Sequence, residues 1–369
     1  MSRFLMCLLV SLLSLPLAAA ADADRAGILR WIESLGGKYS LNEAGQVIEV
    51  DLSNAWLTDA DTEKLSRLPH LESINLAYTK VTDLALEHLI PLQNVKNLDL
   101  YYAEYVSDAG IAHLKGWKNL EHLNVRGSKV TSTVFEHVAG MSKLKSLDVG
   151  FSRVSDELFE SLIGLEELER FAFGGNKMSG VCLPLLKLLP SLRELDISGR
   201  QRTDSGLWGL ALTDFNLDHI VQLEQLESLN VGETAITDRG TGQLAAMKNL
   251  ETLDLHGTSV TARGMAALVD MPNLRRLRLW RAKGIDDSAI PHFLKMKNLE
   301  VLELQETSVT DAGLEQLAGM TRLKRLYVGA SKVTPEKVEA LRKSSPDRLI
   351  SWWPTPKETA SAESEDEEP

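Results

Sequence analysis

A six-residue phrase, Leu-x-x-Leu-x-Leu or a close variant, returns at a nearly fixed interval through most of this chain. Its first residue stands at Val47, Leu71, Val95, Leu120, Leu144, Leu168, Leu192, Leu226, Leu250, Leu274, Leu299 and Leu323, twelve copies in all. The step is 24 residues, lengthening to 25 after Val95 and Leu274 and to 34 after Leu192. Such self-similarity restricts the chain to a repeat array, in which each unit buries its apolar side only against its neighbours.

Within one copy the last two leucines lie two residues apart and share one face of a short strand. A turn follows. Then Thr or Ser stands where a helix N-cap belongs, at Thr58, Thr82, Ser107, Thr131, Ser155, Ser179, Thr203, Thr237, Thr261, Thr310 and Thr334. Its hydroxyl can accept from the free N–H groups of the first turn. Asp often comes next (Asp59, Asp83, Asp108, Asp156, Asp204, Asp238, Asp311), where the helix dipole favours an anion, and Pro335 takes that place in the last copy. Stacked strands lie about 4.8 Å apart, whereas helices need roughly 8–10 Å. The strand side is therefore expected to be the inner, concave one of an α/β solenoid, with helices outside.

These phrases resemble the leucine-rich repeat family over about residues 45–345, with Leu250-Glu-Thr-Leu253-Asp-Leu255 and Leu299-Glu-Val-Leu302-Glu-Leu304 as clear examples. The helical outer side is similar to the ribonuclease-inhibitor-like class, and Thr307-Ser-Val-Thr-Asp-Ala-Gly-Leu314 to repeats of exported bacterial members. The resemblance implies a horseshoe that binds partners on its concave face. One position departs from the family: where Asn or Cys is frequent, this chain has Thr79, Asn176, Thr234, Thr258, Thr307 and Ser128, Ser152, Ser331. A hydroxyl ladder bonding the buried turn backbone is expected there.

The ends differ in kind. Residues 1–20 read as a secretory signal peptide: Arg3, an apolar run, Pro16, then Ala18-Ala19-Ala20 before the cut. Its apolar run is shorter than the roughly 20 residues a spanning helix needs, so no transmembrane segment is expected after cleavage. Residues 21–46 read as a cap, with Ile28, Trp31, Ile32 and Leu35 on one helical face, Gly36-Gly37 as its stop, and a hairpin of Lys38–Leu41 with Val47–Leu52. The array fills 47–345, with an insertion expected near 208–223. Residues 346–354 read as a capping half-copy. The stretch 355–369, rich in Glu and without large apolar residues, reads as a disordered acidic tail.

The formal charge of −12 argues against nucleic acid as a partner. Two cysteines, one of them in the leader, exclude a disulfide scaffold; Cys182 reads as a tight structural thiol. No catalytic or nucleotide-binding signature is present, so no enzyme activity, cofactor or metal is expected. His88, His113, His137 and His292 share one helix position and read as surface histidines. Asp51, Asn75, Asp99, Asn124, Asp148, Asp196, Asn230 and Asp254 form a column between the last two strand leucines: a solvated stripe, or a ladder able to bridge Ca²⁺.

Three copies break the spacing, and rule-breaking concentrates at functional sites. The third carries Tyr101, Tyr102 and Tyr105, with Tyr78, Arg126 and Phe151 as expected neighbours. The tenth carries Arg276, Arg278, Trp280 and Arg281, near His256, Glu306 and Tyr327. Its extra residue is expected to push Trp280 toward solvent. The seventh holds the long insertion, with Phe215 and His219. Tyr, Trp and Arg dominate interface hot spots; salt-bridge pairing of Arg278 with Asp254 and Glu303 is the competing reading. The expected function is an exported recognition scaffold for a protein or peptide. The alternative is a glycan-binding envelope protein using the concave aromatics and the Asp/Asn stripe.

Overall fold

The structure, a computed structural model, describes residues 23–204 and 206–354; the leader and the acidic tail lie outside the described residues. The chain divides into two compact units. Unit one runs through Arg153 and includes Ser161–Glu167, and unit two comprises Val154–Glu160 and the chain from Leu168 on.

Unit one opens with a helix over 23–34 that buries Ile28 and Ile32. Gly36, at φ +76°, supplies the left-handed residue that stops it. Lys38–Leu41 then pairs antiparallel with Val47–Asp51. Ser73–Asn75, Asn97–Asp99, His122–Asn124 and Ser146–Asp148 follow in parallel, so that Val50, Ile74, Leu98, Leu123 and Leu147 stack in one buried row. Unit two repeats the plan. Arg170–Ala172, Glu194–Asp196, Ser228–Asn230, Thr252–Asp254, Arg276–Arg278, Val301–Glu303, Arg325–Tyr327 and Leu349–Ser351 are all parallel, with Phe171, Leu195, Leu229, Leu253, Leu277, Leu302, Leu326 and Ile350 as the row. The other side of each copy is a short helix such as Asp83–Leu89 or Asp311–Leu317. In the sixth copy it is a 3-10 segment, Leu183–Leu188. Both units have the leucine-rich repeat fold, and the strand phase set by the leucines is the observed one.

The N-cap column does more than cap. Thr82 accepts from the Leu84 N–H at 3.3 Å, and its own hydroxyl and N–H donate to Asp59 of the preceding helix, each at 2.7 Å. Ser107 does the same to Asp83, Thr131 to Asp108, Thr261 to Asp238 and Thr334 to Asp311. Each Asp thus staples two copies, beyond any interaction with its own helix dipole. In four copies a glycine at the third position of the next helix (Gly110, Gly240, Gly264 and Gly313) lies against the stapling carboxylate. A Cβ on Gly264 would lie 2.6 Å from Asp238 Oδ1 and 2.7 Å from Thr241 Oγ1. Gly→Ala inside a helix ordinarily stabilises by up to about 1 kcal/mol. Here Gly264→Ala should instead destabilise by about 1–3 kcal/mol through overpacking. A double-mutant cycle with Asp238→Ala should show strong non-additivity by denaturant melts; additive costs would mean the carboxylate does not set the space.

The hydroxyl ladder is present and buried: Thr79, Thr234, Thr258, Thr307 and Ser331 each donate to the carbonyl three residues back at 2.6–2.7 Å. Asn176 donates to the Phe173 carbonyl at 2.9 Å.

The seventh copy corrects the sequence reading. Gln201–Thr203 and Gly206–Trp208 form an antiparallel hairpin, so Thr203 is a strand residue, not an N-cap. The staple is made ten residues later, where Asp214 accepts from the Thr237 N–H at 3.0 Å and from its hydroxyl. The extra residues therefore lie before Trp208 rather than near 208–223. Gly206, at φ +112°, gives the hairpin its turn, and Thr203-Asp204 only imitates the cap. After the array, Trp352 Nε1 donates to the Val333 carbonyl at 3.1 Å, and Trp353 lies where a Cβ on Gly329 would be. Both tryptophans pack the cap. No helix among the described residues is long and apolar enough to cross a membrane.

Candidate functional site

Every copy turns at the same place, two residues after its last strand leucine, with a left-handed residue. In order these are Asn54, Tyr78, Tyr102, Gly127, Phe151, Gly175, Gly199, Glu233, Gly257, Arg281, Glu306 and Ala330, all at positive φ. The N–H there donates to a neighbouring copy's carbonyl, as Tyr78 to Tyr101 and Tyr102 to Arg126, both at 2.7 Å, and Arg281 to Gln305 at 2.9 Å. That bond holds the conformation. A non-glycine residue in it costs about 1–2 kcal/mol that glycine avoids. Eight of the twelve copies nevertheless carry a side chain there. This column escapes sequence reasoning because its residues share no side-chain property.

In unit one the structure brings Tyr78, Tyr101 and Tyr102 together. Tyr78 and Tyr102 stack at 5.7 Å and 12°, and Tyr101 meets Tyr78 edge-on at 5.1 Å and Tyr102 at 4.8 Å. Hydrogen bonding to Tyr101 raises the Tyr78 phenol pKa. The Tyr102 ring lies over Gly127, where a Cβ would come within 2.9 Å of it. Arg126 sits over Phe151 at 4.4 Å and reaches Asp148 at 3.4 Å. Tyr105 is not in the cluster. The extra residue of the third copy is absorbed beyond the turn, so Tyr105 bridges to Thr82 and carries Lys129 over its ring at 4.9 Å.

In unit two Trp280 is not pushed toward solvent. The extra residue of its copy is absorbed at Gly284, which bridges to Thr261, so the turn behind Trp280 stays regular. The indole is half-buried, stacks on His256 at 5.6 Å and donates to Glu306 at 3.0 Å, with Arg281 at 5.5 Å over its ring. Two of its cations are already paired. Arg278 reaches Glu303 at 3.0 Å and Asp254 at 3.4 Å, while Arg281 reaches Glu233 at 3.5 Å and Glu306 at 3.7 Å. Arg276 lies between Thr252 and Val301 and has no ion pair among the described residues. Tyr327 stands beside Glu303 in the sheet and makes no ring contact with Trp280 among them. Burial opposes a charged His256. The Asp254 carboxylate 2.8 Å from its Nδ1, with Glu233 and Asp196 behind, nevertheless carries its pKa above the ordinary value.

The Asp/Asn column is engaged by its own backbone. Each side chain accepts the N–H two residues on, as Asp51 from Ser53 at 2.9 Å, Asp148 from Gly150 at 2.8 Å and Asn230 from Gly232 at 3.1 Å. Burial and the Asp51 charge raise the Asp99 pKa, the backbone bond from Tyr101 opposing them. Among the described residues, no three metal-ligating side chains converge. His88 Nδ1 is tied to Thr62 and the Asp59 carbonyl at 3.1 and 2.9 Å. Cys182 is buried, and burial with nearby Asp156 pushes its thiol well above the usual range.

This geometry agrees with solved leucine-rich repeat structures. An internalin from Listeria monocytogenes superposes with a TM-score of 0.55 at 16% identity, over 90% of this chain and 94% of that one. A leucine-rich repeat protein from Leptospira interrogans aligns over 86% of this chain and 94% of its own, at 19% identity and a TM-score of 0.40. No family profile matches the sequence, and no curated protein matches it. The first of these comparisons shows the class of fold, a leucine-rich repeat fold.

Proposed function

We propose that the chain is an exported, non-enzymatic recognition scaffold that holds a protein or peptide partner on its strand face. The observation that carries this reading is the left-handed column. Tyr78, Tyr102 and Phe151 in unit one, and Glu233, Arg281 and Glu306 in unit two, occupy a conformation that glycine would adopt at lower cost. Strain of this kind gathers at binding and catalytic sites. The strained side chains build the two clusters described above. Of these the tyrosine cluster is the more open, with Tyr78 53% exposed. In unit two an acidic partner would have to displace existing ion pairs, so Trp280 fits better as a rigid apolar anchor than as the centre of a cationic patch. The short outer α-helices support the ribonuclease-inhibitor-like subclass, and the leader supports export. The Asp/Asn stripe is less available to a glycan, since its side chains already accept backbone N–H groups.

Changing Tyr78 and Tyr101 to Ala should weaken capture of the partner from an envelope extract by about thirtyfold or more, the weight of one hot spot. The melting curve should stay cooperative. Wild-type capture by this variant and by Trp280→Ala would remove the strand face from consideration.

A further inference from the structure

A second surface of unit one adjoins the tyrosine cluster at Tyr78 and centres on residues outside it. Trp56, Lys80, Tyr105 and Lys129 hold the same turn position in the first four copies, alternating aromatic and cation. Lys80 lies over the Trp56 ring at 5.0 Å, as Lys129 does over Tyr105. Trp56 is 84% exposed, more than any other large apolar side chain among the described residues. Neither lysine meets a carboxylate among those residues, although Lys64, Lys96 and Lys145 of the same unit each do. Trp56, Tyr78, Lys80 and Asn54 border a cleft of about 450 Å³ together with Asp59, whose carboxylate accepts from the Thr82 N–H and hydroxyl. The exposed Asn54 amide makes no hydrogen bond within the protein among the described residues, and its backbone is left-handed at φ +60°.

We infer that this edge binds an acidic polysaccharide, a chain of uronate sugars. A pyranose ring presents a face of C–H bonds, slightly positive, to which the negative face of an indole or phenol is complementary. Lys80 covers one side of Trp56 and leaves the ring otherwise open. The same lysine is free to meet a sugar carboxylate beside the indole. The Asn54 amide offers one acceptor and two donors to sugar hydroxyls. The second aromatic–lysine pair lies two copies further along, so a linear polymer with a ring and a carboxylate in each unit can engage both. A peptide of Asp and Glu satisfies the lysines but supplies no ring for Trp56. This inference goes beyond the strand-face reading and rests on Trp56 and Lys80, which that reading does not use.

The test is calorimetric titration of the full chain with oligogalacturonate and oligoglucuronate, with the methyl-esterified oligogalacturonate, and with a synthetic peptide of residues 355–369. At least one uronate should bind, and its affinity should fall as salt rises. Esterification, Lys80→Gln and Trp56→Ala should each weaken binding by about tenfold or more. The last should leave the melting temperature unchanged, because the ring is exposed. Failure of both uronates to bind overturns the inference. Unchanged affinity in Trp56→Ala, or tighter binding of the acidic peptide than of either uronate, does so as well.

Discussion

Arg348→Met should open the C-terminal cap. Arg348 is only 8% exposed and has no carboxylate partner among the described residues. Its guanidinium donates instead to the carbonyls of Leu323 at 2.9 Å, Leu317 at 3.1 Å and Ala318 at 3.5 Å, and also to that of Met320. Two of these, Leu317 and Ala318, are carbonyls at the end of the helix Asp311–Leu317, where the dipole welcomes a cation. Burial lowers the pKa of this arginine from its ordinary value, but a guanidinium stays charged at neutral pH. Methionine keeps much of the volume and removes every guanidinium donor, so the Leu323 and Ala318 carbonyls lose this partner, while those of Leu317 and Met320 keep the N–H groups of Met320 and Leu323. The expected loss is about 3–5 kcal/mol, confined to the cap. Hydrogen exchange would read it locally, at the Val328 and Ala330 amides, which donate to Ser351 at 2.9 Å and Trp353 at 2.8 Å. If those amides keep their protection, the arginine is not the clasp.

That clasp shows where sequence reading stops. The leucine spacing gave strand phase and register, because one residue type at one period has a single burial solution. Arg348 read only as the start of a half-copy strand, since its partners are carbonyls and carbonyls have no sequence signature. Hydroxyl caps were legible for the same local reason as the leucines. Their second bond was not, because Asp59 and Thr82 are 23 residues apart and meet only after stacking. In the seventh copy the frame placed the cap at Thr203-Asp204, yet a hairpin took those residues and Thr213-Asp214 carried on the column.

The binding surfaces divide along the same line. Irregular spacing drew attention to Tyr101, Tyr102 and Trp280, and the aromatic clusters lie there. It also suggested that the insertions would push Trp280 outward, which they do not, because each extra residue is absorbed beyond the left-handed turn. Trp56 went unnoticed because its copy is regular. Only the structure shows its ring bare and Lys80 unpaired with acid. The Asp/Asn column looked solvated because alternation turns it away from the leucines. Its short side chains fold back onto their own backbone, a local bond that competes with solvent.

Leu253→Ala should produce the largest core effect in unit two. Leu253 is fully buried, with Leu229 and Leu277 beside it in register. Truncation leaves a cavity between three copies that have no other way to close, at a cost of about 2–5 kcal/mol. Its neighbour Asp254 does not behave as a simple outward residue. It is 4% exposed, accepts from the His256 N–H at 3.0 Å and faces its imidazole at 2.8 Å and Arg278 at 3.4 Å. Asp254→Ala should therefore cost about 1–3 kcal/mol, by orphaning those donors. Thr252, on the same strand and half-buried, should tolerate Ala within about 0.5 kcal/mol. Because each copy leans only on its neighbours, the Leu253 defect should loosen the eighth to tenth copies first, as amide exchange would show. Denaturant melts of the three variants should rank Leu253, then Asp254, then Thr252. An effect at Thr252 equal to that at Leu253 would shift the strand phase by one residue and turn every inward side chain of this copy outward.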